Sequence, residues 1–283
     1  MRVLSVVATK GGVGKTTIAA NLGGLIADAG LRVLLLDLDS QPTLSSYFAL
    51  QRAAPCGTYE LIARNQIEPA QIISQTRFDR LDFIRSNDGN GQLGTLLLHS
   101  ADGRLRLRNL LPAFTNDYDL MLVDTQGARN VLLEMALLAS DLVLSPVQPE
   151  MLAARELDRG TLQLIRELHP FSLFGIHPPP VSLVLNQVNL HRIDTRLIVT
   201  SLRDTFADHR NIQLSKIVIP DRVAYLNAAS LGMPVHCIDY RRQAGQATPC
   251  ALETLQALAL ELFPEWHQAI STIGQHRERL PCT

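Results

Sequence analysis

Ten residues near the start of the chain limit its fold more than any other stretch. Ala8-Thr-Lys-Gly-Gly-Val-Gly-Lys-Thr-Thr17 follows the apolar run Val3-Leu-Ser-Val-Val7 and precedes a helical pattern. A strand, a glycine-rich turn and a helix in that order make a phosphate-binding loop. Glycines let the backbone curl and aim several N–H groups at one point, and the following helix adds the positive end of its dipole. Gly11, Gly12, Val13, Gly14, Lys15, Thr16 and Thr17 are therefore the candidate nucleotide-binding residues. Lys15 would reach the β- and γ-phosphates, and the Thr16 hydroxyl would coordinate Mg²⁺. The ordinary pattern opens on glycine. Here Thr9 holds that place, and a second lysine, Lys10, stands at the front.

The rest of the chain alternates strands with helices, which gives an α/β fold: a single doubly wound, mostly parallel sheet flanked by helices. A helix is expected over 16–28, with Ile18, Leu22, Leu25 and Ile26 inward and Gly30 as its stop. Arg32-Val-Leu-Leu-Leu-Asp37-Leu-Asp39 is a continuous apolar strand covered on both faces, closed by two aspartates. Residues 42–75 read as short helices and loops, and 81–84 as a short strand. Residues 93–111 are helical with a break near Gly103, and Arg104 and Arg108 share a solvated face there. A fourth strand, 119–124, again ends in a carboxylate, Asp124, in the manner of a strand that holds Mg²⁺ directly or through water. Further strands are expected at 141–145, 181–185 and 216–219, and helices at 131–139, 150–168, 194–206, 222–230 and from 251 onward. With no repeat, linker or composition break, residues 1–283 are read as one domain, on which the helices from about 247 pack.

Composition narrows the function classes. Hydrophobic residues make up 46% and charged residues 19%, enough for a substantial core. Lys+Arg number 26 against Asp+Glu 27, so binding to nucleic acid would need a local patch rather than the whole-chain charge. Arg192, Arg196 and Arg203 are spaced to share one side of a helix, and such a face would contact phosphates in a sequence-independent, salt-sensitive way; an ordinary solvated face is the equal alternative. The four cysteines form no CxxC pair, and the eight histidines show no close metal-ligand spacing, so neither zinc nor a disulfide framework is expected. The chain enters its first strand without a charged leader, and no apolar run approaches about 18 residues, so no membrane span and a cytoplasmic setting are expected.

These motifs together resemble the ParA/MinD family of deviant-Walker ATPases, and within it the small, Soj-like ParA partition proteins. The resemblance rests on Lys10-Gly-Gly-Val-Gly-Lys-Thr-Thr17, Asp37-Leu-Asp39-Ser-Gln41, Leu81-Asp-Phe-Ile-Arg-Ser-Asn87, the Asp124 strand, Pro146-Val-Gln-Pro-Glu150, and Ile219-Pro220 followed by Ala228-Ala-Ser-Leu-Gly232-Met-Pro234. It implies a Mg²⁺-dependent ATP hydrolase that forms a homodimer with ATP at the interface. Lys10 would reach the nucleotide of the other subunit, Asp39 would orient the attacking water, Asp37 would support the Mg²⁺ side and Asp124 would hold Mg²⁺ through water. Asn186, Pro220 and Asp221 would contact adenine and ribose. It further implies a nucleoid-associated bacterial protein that binds non-specific DNA, with Arg222 as a displaced candidate for DNA contact, and a ParB-like centromere-binding partner that stimulates hydrolysis.

Two loops depart from the family's usual pattern. Asp39-Ser40-Gln41-Pro42 stands for the common Asp-Pro-Gln, and Gln126-Gly127 for a common pair of prolines. By the resemblance both would sense the γ-phosphate, so they bear on hydrolysis and its coupling rather than on ATP binding. Two alternatives stay open: a MinD-like membrane-positioned regulator and an ATP-dependent dimeric scaffold with weak hydrolysis. The first needs a basic amphipathic C-terminal helix. Residues 251–263 are amphipathic but carry Glu253 and Glu261 and no Lys or Arg, so core packing is the expected use of that stripe. An iron–sulfur reductase of related type is excluded, because no cysteine lies between Cys56 and Cys237.

Overall fold

The computed structural model describes residues 1–150, 152–189, 193–206, 211–242 and 248–274, with only the backbone of 193–196. Strands are β1 (Arg2–Val6), β2 (Val33–Asp37), β3 (Leu50–Arg52), β4 (Ser74–Thr76), β5 (Leu81–Ile84), β6 (Leu120–Asp124), β7 (Leu142–Val147), β8 (Val181–Val188) and β9 (Ile212–Pro220). Helices are α1 (Lys15–Asp28), α2 (Thr58–Arg64), α3 (Pro69–Ile72), α4 (Gln92–Leu98), α5 (Arg106–Leu110), α6 (Val131–Ala139), α7 (Ala153–Leu157), α8 (Gln163–Glu167), α9 (Ile193–Phe206), α10 (Val223–Leu231), α11 (Ala251–Leu262) and α12 (His267–Ser271). Among the described residues the strands form one sheet of order β3-β4-β5-β2-β6-β1-β7-β8-β9. It is parallel except at β3–β4 and β4–β5, which pair antiparallel at one edge.

The central strands follow from their sequence. β2 and β6 are buried at every position, as continuous apolar runs require. Their alternation distributes side chains to two cores. Val33, Leu35, Leu120 and Leu122 face α1 and α11, whereas Leu34, Leu36, Met121 and Val123 face α4, α5 and α6. A third cluster gathers Val143, Val147, Leu183 and Leu185 under α7, α8 and α9.

α1 carries the inward residues expected of it, and nearly all of its length is buried. Gly23 and Gly24 explain how it fits. A Cβ on Gly23 would lie 2.7 Å from Leu35 Cδ2, and one on Gly24 2.8 Å from Pro234 Cβ. The helix is thus pressed between the sheet and the segment after α10. The stripe of α11 is packed as expected: Leu252, Leu255, Ala259 and Leu262 are buried, Trp266 stacks on Phe263 at 4.7 Å, and Ile270 is buried. Among the described residues no helix is long and apolar enough to cross a membrane.

Four expectations need revision. Residues 42–75 contain β3 and β4 as well as helices. The helix expected over 150–168 is broken: α7 passes into a π-helical turn, Asp158–Leu162, before α8 resumes. β8 and β9 are longer than their apolar runs suggest. The arginines of 104–108 are not a free solvated face. Arg104 Nε donates to Glu134 Oε2 at 2.5 Å and Arg108 to the Leu138 carbonyl at 3.1 Å, both on α6, while Arg106 donates to Asp102 at 2.6 Å.

Candidate nucleotide and metal site

The carboxyl ends of β1, β2, β6, β7 and β8 form one rim, the ligand side of an open α/β sheet. The loop between β1 and α1 sits at its centre. Gly12 (φ 76°) and Gly14 (φ 88°) adopt left-handed backbone that a side chain would strain. No side chain caps the start of α1 at Gly14. The amides of its first turn therefore point outward unsatisfied by any side chain, which suits an anion.

The carboxylates behind the loop are close neighbours. Asp37 and Asp124 are register partners at the ends of β2 and β6. Thr16 Oγ1 donates to Asp124 Oδ2 at 2.6 Å, whereas the buried Oδ1 has no hydrogen-bond partner. Burial pushes the Asp124 carboxyl up to about 7, against the Thr16 hydrogen bond that favours ionisation. Burial likewise raises Asp37 to about 6. Its oxygens are used within the next loop: Ser45 donates through its hydroxyl at 2.7 Å and its amide at 2.8 Å, and the Asp39 amide donates at 3.1 Å. Asp37 thus shapes the loop, while Asp124 has an oxygen to spare. An orphaned carboxylate oxygen beside a threonine hydroxyl fits Mg²⁺, a hard cation that takes oxygen ligands and keeps several waters.

Lys15 is 7% exposed, and its ammonium donates to the Lys10 carbonyl at 3.5 Å. Desolvation lowers its pKa, opposed by Asp124 and Asp39. A buried lysine next to uncapped helix amides is a site for phosphate charge. Lys10 is engaged elsewhere, with two acidic side chains. Its ammonium bonds Glu150 Oε2 at 2.6 Å and Glu156 Oε2 at 3.0 Å, contacts that raise its pKa. Asp39 accepts from the Gln41 amide at 2.9 Å, and its carbonyl accepts from Ser86 Oγ at 2.5 Å.

The remaining sequence candidates separate. Asn186 is 5% exposed and donates to the Val13 carbonyl at 2.8 Å, so it braces the phosphate loop from β8. The Asp221 amide donates to the Val188 carbonyl at 3.1 Å, which places Pro220 and Asp221 at the end of the β8–β9 pair. Arg222 bonds Asp239 at 2.7 Å and the Pro249 carbonyl at 3.0 Å, so its charge is already matched within the chain. Arg203 is exposed on α9; Arg192 and the side chain of Arg196 lie outside the described residues.

Two contributors, Ser45 and Gly160, escape sequence reasoning, and a third, Gly127, reads in the sequence only as a loop residue. Ser45 links Asp37 to Ser86, whose amide donates to Ser45 Oγ at 2.9 Å. Gly160, in the π turn, lies against Thr9 so closely that a Cβ would overlap the threonine hydroxyl, and Thr161 Oγ1 accepts from the Thr9 amide at 3.3 Å. A Cβ on Gly127 would lie 3.0 Å from both Gly11 Cα and Lys15 Nζ. Ser86 sits inside one of the quoted motifs and Gly127 in a loop that the sequence marks; nothing in the sequence marks the Gly160–Thr9 contact.

Comparison with known proteins agrees with this geometry. A family model described as an AAA domain matches residues 1–172. The sporulation initiation inhibitor protein Soj of Bacillus subtilis is 28% identical over 254 residues, covering 87% of this chain and 94% of that protein. The chromosome partitioning protein ParA of Caulobacter vibrioides is 30% identical over 252 residues, covering 87% and 91%. The fold matches that of a Cyanothece McdA variant solved as an ATP complex, with a TM-score of 0.71 at 21% identity over 100% of this chain and 98% of that one. Phosphate loop, paired strand-end carboxylates, sheet order and relatives converge: the chain belongs to the ParA/MinD family of deviant-Walker P-loop ATPases.

Proposed function

We propose that this ParA-type ATPase partitions or maintains a DNA element, cycling between an ATP-bound homodimer that holds non-specific DNA and a released state reached by partner-stimulated hydrolysis. The observation that carries the nucleotide half of this reading is the Thr16–Asp124 pair, with its spare buried carboxylate oxygen beside Lys15 and the uncapped start of α1. The partition half is supported by the Soj and ParA relatives, which the chain matches over most of its length.

Each side chain has a distinct task in this reading. Backbone amides of residues 11–17 and the Lys15 ammonium bind the phosphates. Thr16 and Asp124 would hold Mg²⁺, which would supply charge neutralisation for the transferred phosphoryl group. Asp39 orients water toward the γ-phosphate, and the Asp37–Ser45–Ser86 hydrogen bonds keep its loop in place. Lys10 leaves Glu150 and Glu156 to meet the partner subunit's nucleotide, adding positive charge where it develops during transfer. The buried stripe of α11 favours this reading over a membrane-positioned one.

The test is ATP hydrolysis and binding to random duplex DNA, each with ATP, with ADP and across a salt series. Binding in ATP alone that fades with rising salt supports the proposal. Nucleotide binding that survives Lys15→Ala would overturn the phosphate assignment. Vesicle binding without DNA binding would overturn the partition assignment.

A further inference from the structure

Away from the nucleotide, Asp28, His236 and Cys237 bring a carboxylate oxygen, an imidazole nitrogen and a sulfur within 4.8 Å of one another. Asp28 ends α1, and His236 and Cys237 lie on the short turn Val235–Cys237 after α10. Sequence spacing hid the group, because 208 positions separate the first two donors. We propose that these residues bind a thiophilic divalent cation, Zn²⁺ by preference, that ties the end of α1 to this turn.

The distances suit such an ion. Zinc takes nitrogen and oxygen at about 2.0–2.2 Å and sulfur at about 2.3 Å, so tetrahedral ligands stand about 3.3–3.6 Å apart. His236 Nε2 lies 2.8 Å from Asp28 Oδ2 and 4.0 Å from Cys237 Sγ, values on either side of that spacing. Neighbouring residues on a tight helical turn normally diverge by about 120°, yet here both deliver donors to one point. The turn is already fixed to α1, since the Val235 amide donates to Asn21 Oδ1 at 2.6 Å and Pro234 packs on Gly24. The backbone that carries His236 and Cys237 is therefore fixed to α1 before any ion arrives.

Electrostatics favour a cation there. Asp28 adds a carboxylate to the negative end of a fourteen-residue helix that has no basic residue in its last turn. A protonated His236 would answer that charge without a metal. The thiol turned toward the same atoms is what separates the two cases, because sulfur adds nothing to a His–Asp pair but completes a borderline-soft ligand set. Hard Mg²⁺ is selected against by the same donors, so this site is distinct from the nucleotide's.

The test uses the full chain after chelator treatment, with Co²⁺ as spectroscopic probe and Zn²⁺ for thermal shift. One equivalent of Co²⁺ should give a near-ultraviolet thiolate charge-transfer band and intense visible bands of tetrahedral type. Zn²⁺ should raise the melting temperature where Mg²⁺ alone does not. Cys237→Ser should lose the charge-transfer band, Cys56→Ser should keep it, and Asp28→Asn, an exposed change, should weaken Zn²⁺ binding by at least about 100-fold, the upper end of what even outer-shell losses cost. No Co²⁺ spectrum, a charge-transfer band that survives Cys237→Ser, or a Zn²⁺ shift equal in Asp28→Asn and wild type would overturn the proposal.

Discussion

Asp124→Asn tests the electrostatic reading of the site, because it should strengthen the nucleotide-free fold while removing its chemistry. Burial holds the Asp124 carboxyl at about 7, against 3.8 for a free aspartate. Below pH 4 both folded and unfolded chains carry the proton, and the group is neutral to stability. As pH rises from about 4 to 7 the unfolded chain ionises first, so the wild type loses stability; above 7 the loss is complete. Three units at about 1.4 kcal/mol each set an upper bound of about 4 kcal/mol at pH 8. Asparagine can still accept from Thr16 and carries no charge. The variant should therefore gain about 2–4 kcal/mol at pH 8 and under about 1 kcal/mol at pH 4.5, which for a chain of this size is a rise of roughly 4–10 °C at the higher pH. Thermal unfolding across that range measures it. Mg²⁺ with ATP should stabilise the wild type at pH 8, and the variant should lack Mg²⁺-dependent turnover. Equal gains at both pH values, or a loss at pH 8, would refute the claim that an unmatched buried charge sits there.

Other predictions concern the loops around it. Replacing Glu150 and Glu156 with Gln should free Lys10. Exposed pairs are worth about 0.2–1 kcal/mol each, each Lys10 makes two and a dimer releases two lysines, so the ATP-dependent dimer constant should tighten by at least about 4-fold in sedimentation; an unchanged constant would count against a parked lysine. Asp39→Ala should keep ATP binding and a persistent dimer but stop hydrolysis, and normal turnover in that variant would remove Asp39 from its role. Gly160→Ala should force the π turn off Thr9, costing about 1–3 kcal/mol in urea unfolding and weakening nucleotide affinity with it; wild-type values for both would mean that the contact relaxes freely.

The sequence made the centre of the molecule legible because its signals are long and redundant. β2 and β6 are apolar runs ended by aspartate, and that pattern alone put Asp37 and Asp124 on the ligand side. β3 and β4 are three residues each, too short for any periodicity, and β3 is mostly exposed. β9 escaped in part because Gln213 and Ser215 interrupt its apolar run. The break at 158–162 has only Gly160 to announce it, and a lone glycine in a helical pattern usually means nothing. Gly160 packs there against Thr9, 151 positions earlier in number, a contact that no local pattern encodes. Asn186 was legible as a residue of the site, but not that it braces the loop backbone.

The departure at Gln126-Gly127 has a physical account in the same terms. The polar residues between Asp124 and the start of α6 have partners. Asp124 takes the Thr16 hydroxyl, Thr125 donates to the Val6 carbonyl at 2.7 Å, and Gln126 accepts from Asn130 at 2.8 Å. Asn130 in turn caps α6 by accepting from the Leu133 amide at 2.8 Å. A Cβ on Gly127 would lie 3.0 Å from Gly11 Cα and Lys15 Nζ, so a side chain there would need one of them to give by a few tenths of an ångström. The departure from proline at this position therefore goes with close packing of the loop on Gly11 and Lys15, next to the cap that Asn130 supplies to α6.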